Sequence, residues 1–186
     1  MERRRFLATA GAAFGGLAGC SAPTKSPRRR LDNGSFEAGL RSWSVGTDLP
    51  TDPNTGGPVE TDVRVTGERA SSGERALELS IDGRQDDGMV WVQQPVDLGH
   101  GSTLAVDVYS PQESFNTITK VAAFAGPDRV LRESEFDTSR AVEDHGGWKT
   151  FEYPVDGDGL GVVAVGISVV WETEVTRWVD DVRLVD

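Results

Sequence analysis

Two carboxylates set side by side in an apolar stretch are the first residues here with chemistry in them. The C-terminal run Thr176-Arg177-Trp178-Val179-Asp180-Asp181-Val182-Arg183-Leu184-Val185 reads as a strand, and Asp is disfavoured inside strands. Alternation puts Trp178, Asp180, Val182 and Leu184 on one face and Val179, Asp181, Arg183 and Val185 on the other. One aspartate therefore shares a face with buried neighbours, which requires a cation or hydrogen-bond donors beside it. Glu37, in Asn33-Gly34-Ser35-Phe36-Glu37 at the other end of the chain, is the acid to read against it. Asp107, Glu152, Glu172 and Glu174 could pair for acid–base hydrolysis of a glycosidic bond. In a chain with 30 acidic residues such pairs arise by chance, and no spacing selects one. His100 and His145 stand beside glycines without the spacing of a zinc site. Neither a Gly-x-Ser-x-Gly elbow nor a phosphate-binding glycine loop occurs. No residue is assigned a catalytic role, and a non-enzymatic protein is expected.

The elements that must position these residues are short strands. From Leu31 onward, apolar segments alternate with Gly, Pro, Asn and Asp clusters and no long 3.6-residue period appears, an all-β signature. Strands are expected at Leu40–Val45, Val59–Thr66, Ala76–Ile81, Met89–Val96, Leu104–Tyr109, Thr117–Ala125, Trp148–Val155, Val162–Trp171 and the C-terminal run; Val130–Phe136 reads as a strand or, alternatively, a short helical turn. Pro95 should end or edge its pairing. In Leu104–Tyr109, Leu104, Val106 and Val108 form the core face, with Asp107 and Tyr109 opposite. Trp43 and Trp148 are expected in the core. Eight to ten strands in this length suit a two-sheet antiparallel jelly-roll sandwich.

Composition narrows the partners. The formal net charge is −11, and basic residues concentrate before Leu31, so the domain is more acidic still. Nucleic acid is excluded as a partner, because phosphate contacts need a basic face. Arginine far outnumbers lysine, and the acids are dispersed; this resembles the surface of proteins from halophilic archaea, solvated at high salt. The single cysteine, Cys20, excludes an internal disulfide. It ends a leader with a basic start and a short apolar segment, a signal peptide rather than a membrane span. Arg3-Arg4, followed by Arg5 and then Phe6-Leu7, resembles the twin-arginine export signal, and Leu17-Ala18-Gly19-Cys20 resembles a lipobox. The expected organisation is residues 1–19 as signal, 20–30 as lipidated Cys20 and flexible tether, and 31–186 as one β-sandwich domain. The product is expected to be a monomer outside the cytoplasmic membrane, anchored to its outer face by the lipid.

Asn33-Gly-Ser-Phe-Glu37 with Trp43, Ser72-Gly73-Glu-Arg-Ala76-Leu77, Trp148-Lys-Thr-Phe, and Trp178-Val-Asp180-Asp181-Val-Arg-Leu184 together resemble landmarks of galactose-binding-like β-sandwiches. They look most like carbohydrate-binding modules. The resemblance implies a structural calcium at the sandwich edge, with Glu37 and Asp180 as side-chain ligands and Ser72 or Gly73 contributing backbone oxygens. The alternative is that both carboxylates accept backbone hydrogen bonds that close the sandwich. Sugar recognition needs aromatic faces with polar groups nearby; the candidates are Trp91, Asp107, Tyr109 and Trp171. The expected partner is a polysaccharide or cell-envelope glycan. A surface structural or protein-interaction domain is the alternative, and a polysaccharide lyase or glycoside hydrolase a more distant one.

Overall fold

The computed structural model describes residues 30–84, 87–111, 119–142, 146–169 and 174–186; Cys20, most of the tether, His145, Trp171 and Glu172 lie outside the described residues. Among these are nine strands: β1 (Ser44–Asp48), β2 (Thr61–Thr66), β3 (Ala76–Asp82), β4 (Gly88–Asp97), β5 (Thr103–Pro111), β6 (Thr119–Pro127), β7 (Gly146–Pro154), β8 (Leu160–Val169) and β9 (Glu174–Val185). They form two sheets, β1-β4-β8-β6 and β2-β3-β9-β5-β7, with every strand pair antiparallel. This is the all-β, two-sheet sandwich the alternation predicts.

The core lies where the inner faces meet. Leu77, Leu79, Val106, Val108 and Val179 of one sheet join Val90, Val92, Val163, Val165 and Ile167 of the other, all fully buried. β8 is buried on both faces, which explains why it reads as a continuous apolar run. Its outer side belongs to a second cluster of Met89, Trp91, Ala122, Leu131, Phe136, Val162 and Ala164. Chain from the β6–β7 connection covers that face, tied to β6 by bridges at Ala123–Asp137 and Lys120–Ala141. Val130–Phe136 takes the second of its two expected forms: it is not a strand but irregular chain with a 3-10 turn at Glu133–Glu135. Leu131 and Phe136 point into the cluster, so apolar content there serves covering rather than sheet pairing.

The opening segment also departs from expectation. β1 begins at Ser44, not Leu40, because Asn33 organises the preceding residues as turns. Its side-chain amide donates to the carbonyls of Gly39 (2.8 Å) and Arg41 (2.9 Å) and its oxygen accepts from the Ala38 N–H (3.0 Å), local bonds that compete with a strand ladder. Pro95 still faces Val162 of β8, but β1 has stopped at the level of Gln93, so its missing N–H falls where the β1 side needs no donor. In β9 the register against β5 shifts between Ala105 and Asp107, and Asp181 has φ 46°. This bulge breaks the expected alternation: Asp180 stays on the outer face with Trp178, whereas Val182 turns into the core at 2% exposure.

Candidate functional site

The acids singled out at the two ends of the chain act on one short loop, residues 67–75 between β2 and β3. Asp180 is wholly buried. Its Oδ2 accepts the N–H groups of Ser71 (2.8 Å) and Ser72 (2.7 Å), and its Oδ1 accepts that of Asp181 (2.7 Å). Glu37 Oε1 accepts from the N–H groups of Glu74 (2.8 Å) and Arg75 (3.0 Å). Gly73 between them has φ 66°, and a Cβ there would strike the Glu37 carboxylate; only glycine meets both conditions. Asp107, directly opposite Asp180, takes hydroxyl donors from Ser71 and Thr150. Facing carboxylates repel, and the surrounding donors offset this. Burial pushes the Asp180 carboxyl above its ordinary value, and the N–H donations of Ser72, Asp181 and Ser71 pull part of that shift back.

A calcium ion needs six to eight oxygens. The loop turns N–H groups toward both carboxylates, the wrong polarity for a cation cradle. No group of three His, Cys, Asp or Glu side chains placed to hold a metal ion occurs among the described residues. As arranged, Glu37 and Asp180 grip the backbone on either side of Gly73 in a hydrogen-bonded clasp, the alternative that sequence left open.

The clasped loop carries Arg69 onto the outer face of the five-stranded sheet. Register places Arg64, Glu78, Trp178, Tyr109 and Trp148 in one row across β2, β3, β9, β5 and β7. Tyr109 stands edge-on to both tryptophans, with centroids 5.5 Å from Trp148 and 5.8 Å from Trp178 and interplanar angles of 69° and 87°. The Arg69 guanidinium lies 4.3 Å from the Tyr109 centroid and 4.7 Å from that of Trp178 and donates to the Tyr109 hydroxyl (3.1 Å). Stacked cation–π contacts of this kind hold an arginine in place. Glu78 Oε1 pairs with Arg64, while Glu78 Oε2, Trp178 Nε1 and Arg69 Nε are buried without a hydrogen-bond partner among the described residues.

Of the expected ligand residues, Tyr109 and Asp107 do lie together opposite the core. Trp91 does not join them. It is 3% exposed on the other sheet, with its ring 5.0 Å from Phe136 and its indole N–H donated to Gln93 (2.7 Å), so it presents no face to a ligand. Trp171 lies outside the described residues. Trp148, expected in the core, is half-buried in the outer row; it shares a face with Thr150 and Glu152 while Phe151 and Tyr153 point inward, an alternation legible in the sequence. Trp178 was within reach too, being two residues from Asp180. Arg69 carried no sequence signal, because its place depends on a loop fixed by residues far along the chain.

No family model matches the sequence, and no curated protein matches it. Solved structures do. A carbohydrate-binding module studied for specific mannan recognition is 19% identical with TM-score 0.54, aligned over 83% of this chain and 94% of its own. The enzymatically active domain of bacteriophage CBA120 tailspike protein 4 is 10% identical with TM-score 0.50, over 83% of this chain but 21% of its own. A family 11 module from Clostridium thermocellum, in complex with a mixed-linked tetrasaccharide, is 14% identical with TM-score 0.49, over 86% and 98%. The fold is thus a two-sheet β-sandwich like that of the mannan-recognising module.

Proposed function

We propose that the protein is a non-catalytic, carbohydrate-binding-module-like protein that holds a polysaccharide across the outer face of the β2-β3-β9-β5-β7 sheet. The observation that carries this reading is the row Trp178–Tyr109–Trp148, flanked by Asp107 and Glu78 on the same face. Aromatic surface supplies apolar contact to sugar C–H faces, and nearby carboxylates accept hydroxyl protons. Kinship of fold with a mannan-recognising module agrees with the ligand class, but fold by itself does not fix function, so the aromatic row carries the reading. The leader motifs support display at the outer face of the cytoplasmic membrane through a lipid on Cys20.

Affinity electrophoresis against mannan, galactan, xylan and mixed-linked glucan tests the reading. At least one should retard the protein, and Trp148→Ala and Tyr109→Ala should each weaken that binding about tenfold. Absence of retardation by all four sinks it in favour of a structural or protein-interaction domain. Release of new reducing ends would instead mark a hydrolase.

A further inference from the structure

The faces of Tyr109 and Trp178, on which a sugar ring would lie, are already occupied by the Arg69 guanidinium. Around it are groups with nothing to bond. Trp178 Nε1 and Glu78 Oε2 belong to residues 6% exposed and find no partner among the described residues. Buried donors and acceptors are nearly always satisfied, so each exception calls for a reason. Glu78 and Trp178 are cross-strand neighbours, about 4.8 Å apart across the ladder, a separation one pyranose can span.

We propose that Arg69 closes a pyranose subsite formed by Trp178, Tyr109 and Glu78, and that a neutral sugar enters by displacing the guanidinium from the rings. The sugar then takes a hydrogen bond from Trp178 Nε1 and gives a hydroxyl proton to Glu78 Oε2. This rests on the polysaccharide reading and adds to it a place, a ligand class and a selectivity device. Only the side chain needs to move, because Asp180, Asp107 and Glu37 hold the loop backbone and the Ser71 hydroxyl. Glu68, whose carboxylate is already 4.0 Å from Arg69, offers the displaced cation an exposed partner. An anionic sugar is disfavoured, because Glu78 and Asp107 remain on the face while Arg64 and Arg183 are engaged by Glu78, Asp62 and Asp181.

Displacing a guanidinium from two rings costs affinity, so Arg69→Ala should bind the polysaccharide that retards the parent protein about tenfold more tightly by calorimetry. Arg69→Gln, which keeps most of the stem and removes the charge, should also gain affinity. In the Arg69→Ala background, Trp178→Phe and Glu78→Gln should each cancel most of that gain. Unchanged or weaker binding by both Arg69 variants, while the parent protein binds, overturns the inference and leaves the polysaccharide reading intact. Failure of the parent and both variants to bind any of the four polysaccharides overturns both.

Discussion

The two sheets carry a tryptophan at comparable depth on their outer faces, and what covers each differs in kind. Trp91 is 3% exposed and Trp178 6%. Over Trp91 lie Phe136 and Leu131, its indole N–H is bonded to Gln93, and the backbones of Gly46 and Gly166 press so close that a Cβ at either would collide with it. Over Trp178 lies the Arg69 guanidinium, and its indole N–H has no partner among the described residues. The first face has been completed from within the chain by apolar packing. The second has been covered by a charged side chain that rests on two rings and one hydroxyl, and that can leave without opening the core.

The sharpest way to break this comparison is truncation of the two rings. Trp91→Ala should cost about 3–5 kcal/mol in denaturant unfolding, since it empties an apolar site whose glycine walls bring no side chains to fill the gap. Trp178→Ala should cost less, about 1–3 kcal/mol, because water reaches the vacated space once Arg69 moves. Equal losses would mean that both faces are sealed alike.

The clasp comes next in size. Asp180→Ala leaves the N–H groups of Ser71, Ser72 and Asp181 without their acceptor and should lower stability by about 2–4 kcal/mol. Asp180→Asn should cost about half as much, because one amide nitrogen must face a donor. A pH series on the same pair isolates the titration. The folded-state value of Asp180 is raised, mainly by burial, so the folded chain holds this proton more tightly than the unfolded one. Its stabilising contribution is fully present below the unfolded carboxylate value and declines as pH rises through the raised folded value. The stability advantage of the parent protein over Asp180→Asn should therefore shrink with rising pH across that window; an advantage that grows would reverse the assigned direction.

Calcium is expected to have the smallest effect. With Glu37 and Asp180 turned toward N–H donors, calcium added to the chelated protein should move Tm by less than about 2 °C. A larger rise would show that the loop can turn carbonyls inward and rebuild the edge as a cation site.

What was legible in the sequence follows the range of the forces involved. Alternation is local, so Leu77, Leu79 and Ile81 or Leu104, Val106 and Val108 announced their face, and with them the sandwich. The bulge at Asp181 was hidden, because one residue of backbone in the left-handed region leaves no mark on an otherwise alternating run. Val130–Phe136 stayed open between strand and helical turn for a related reason: its apolar residues bury downward onto a sheet instead of pairing along it, and composition does not distinguish the two. At the site, Tyr109 and Asp107 could be found from their own strand. The burial of Trp91 could not be found that way, since it depends on which outer face the β6–β7 connection covers.

Distance along the chain gives the clasp a further meaning. Ser71 and Asp180 are 109 residues apart and Glu74 and Glu37 are 37 apart, so the loop is fixed only when both ends of the domain have arrived. Contacts of such long range form late, after the loop-closure entropy they require has been offset by other pairings. Arg69 therefore reaches the rings only once β9 is in place, and a fragment that lacks β9 contains neither the Asp180 half of the clasp nor the Trp178 it guards. The binding face is in that sense an end product of folding: it comes into being with the last strand and reports that the strand is in place.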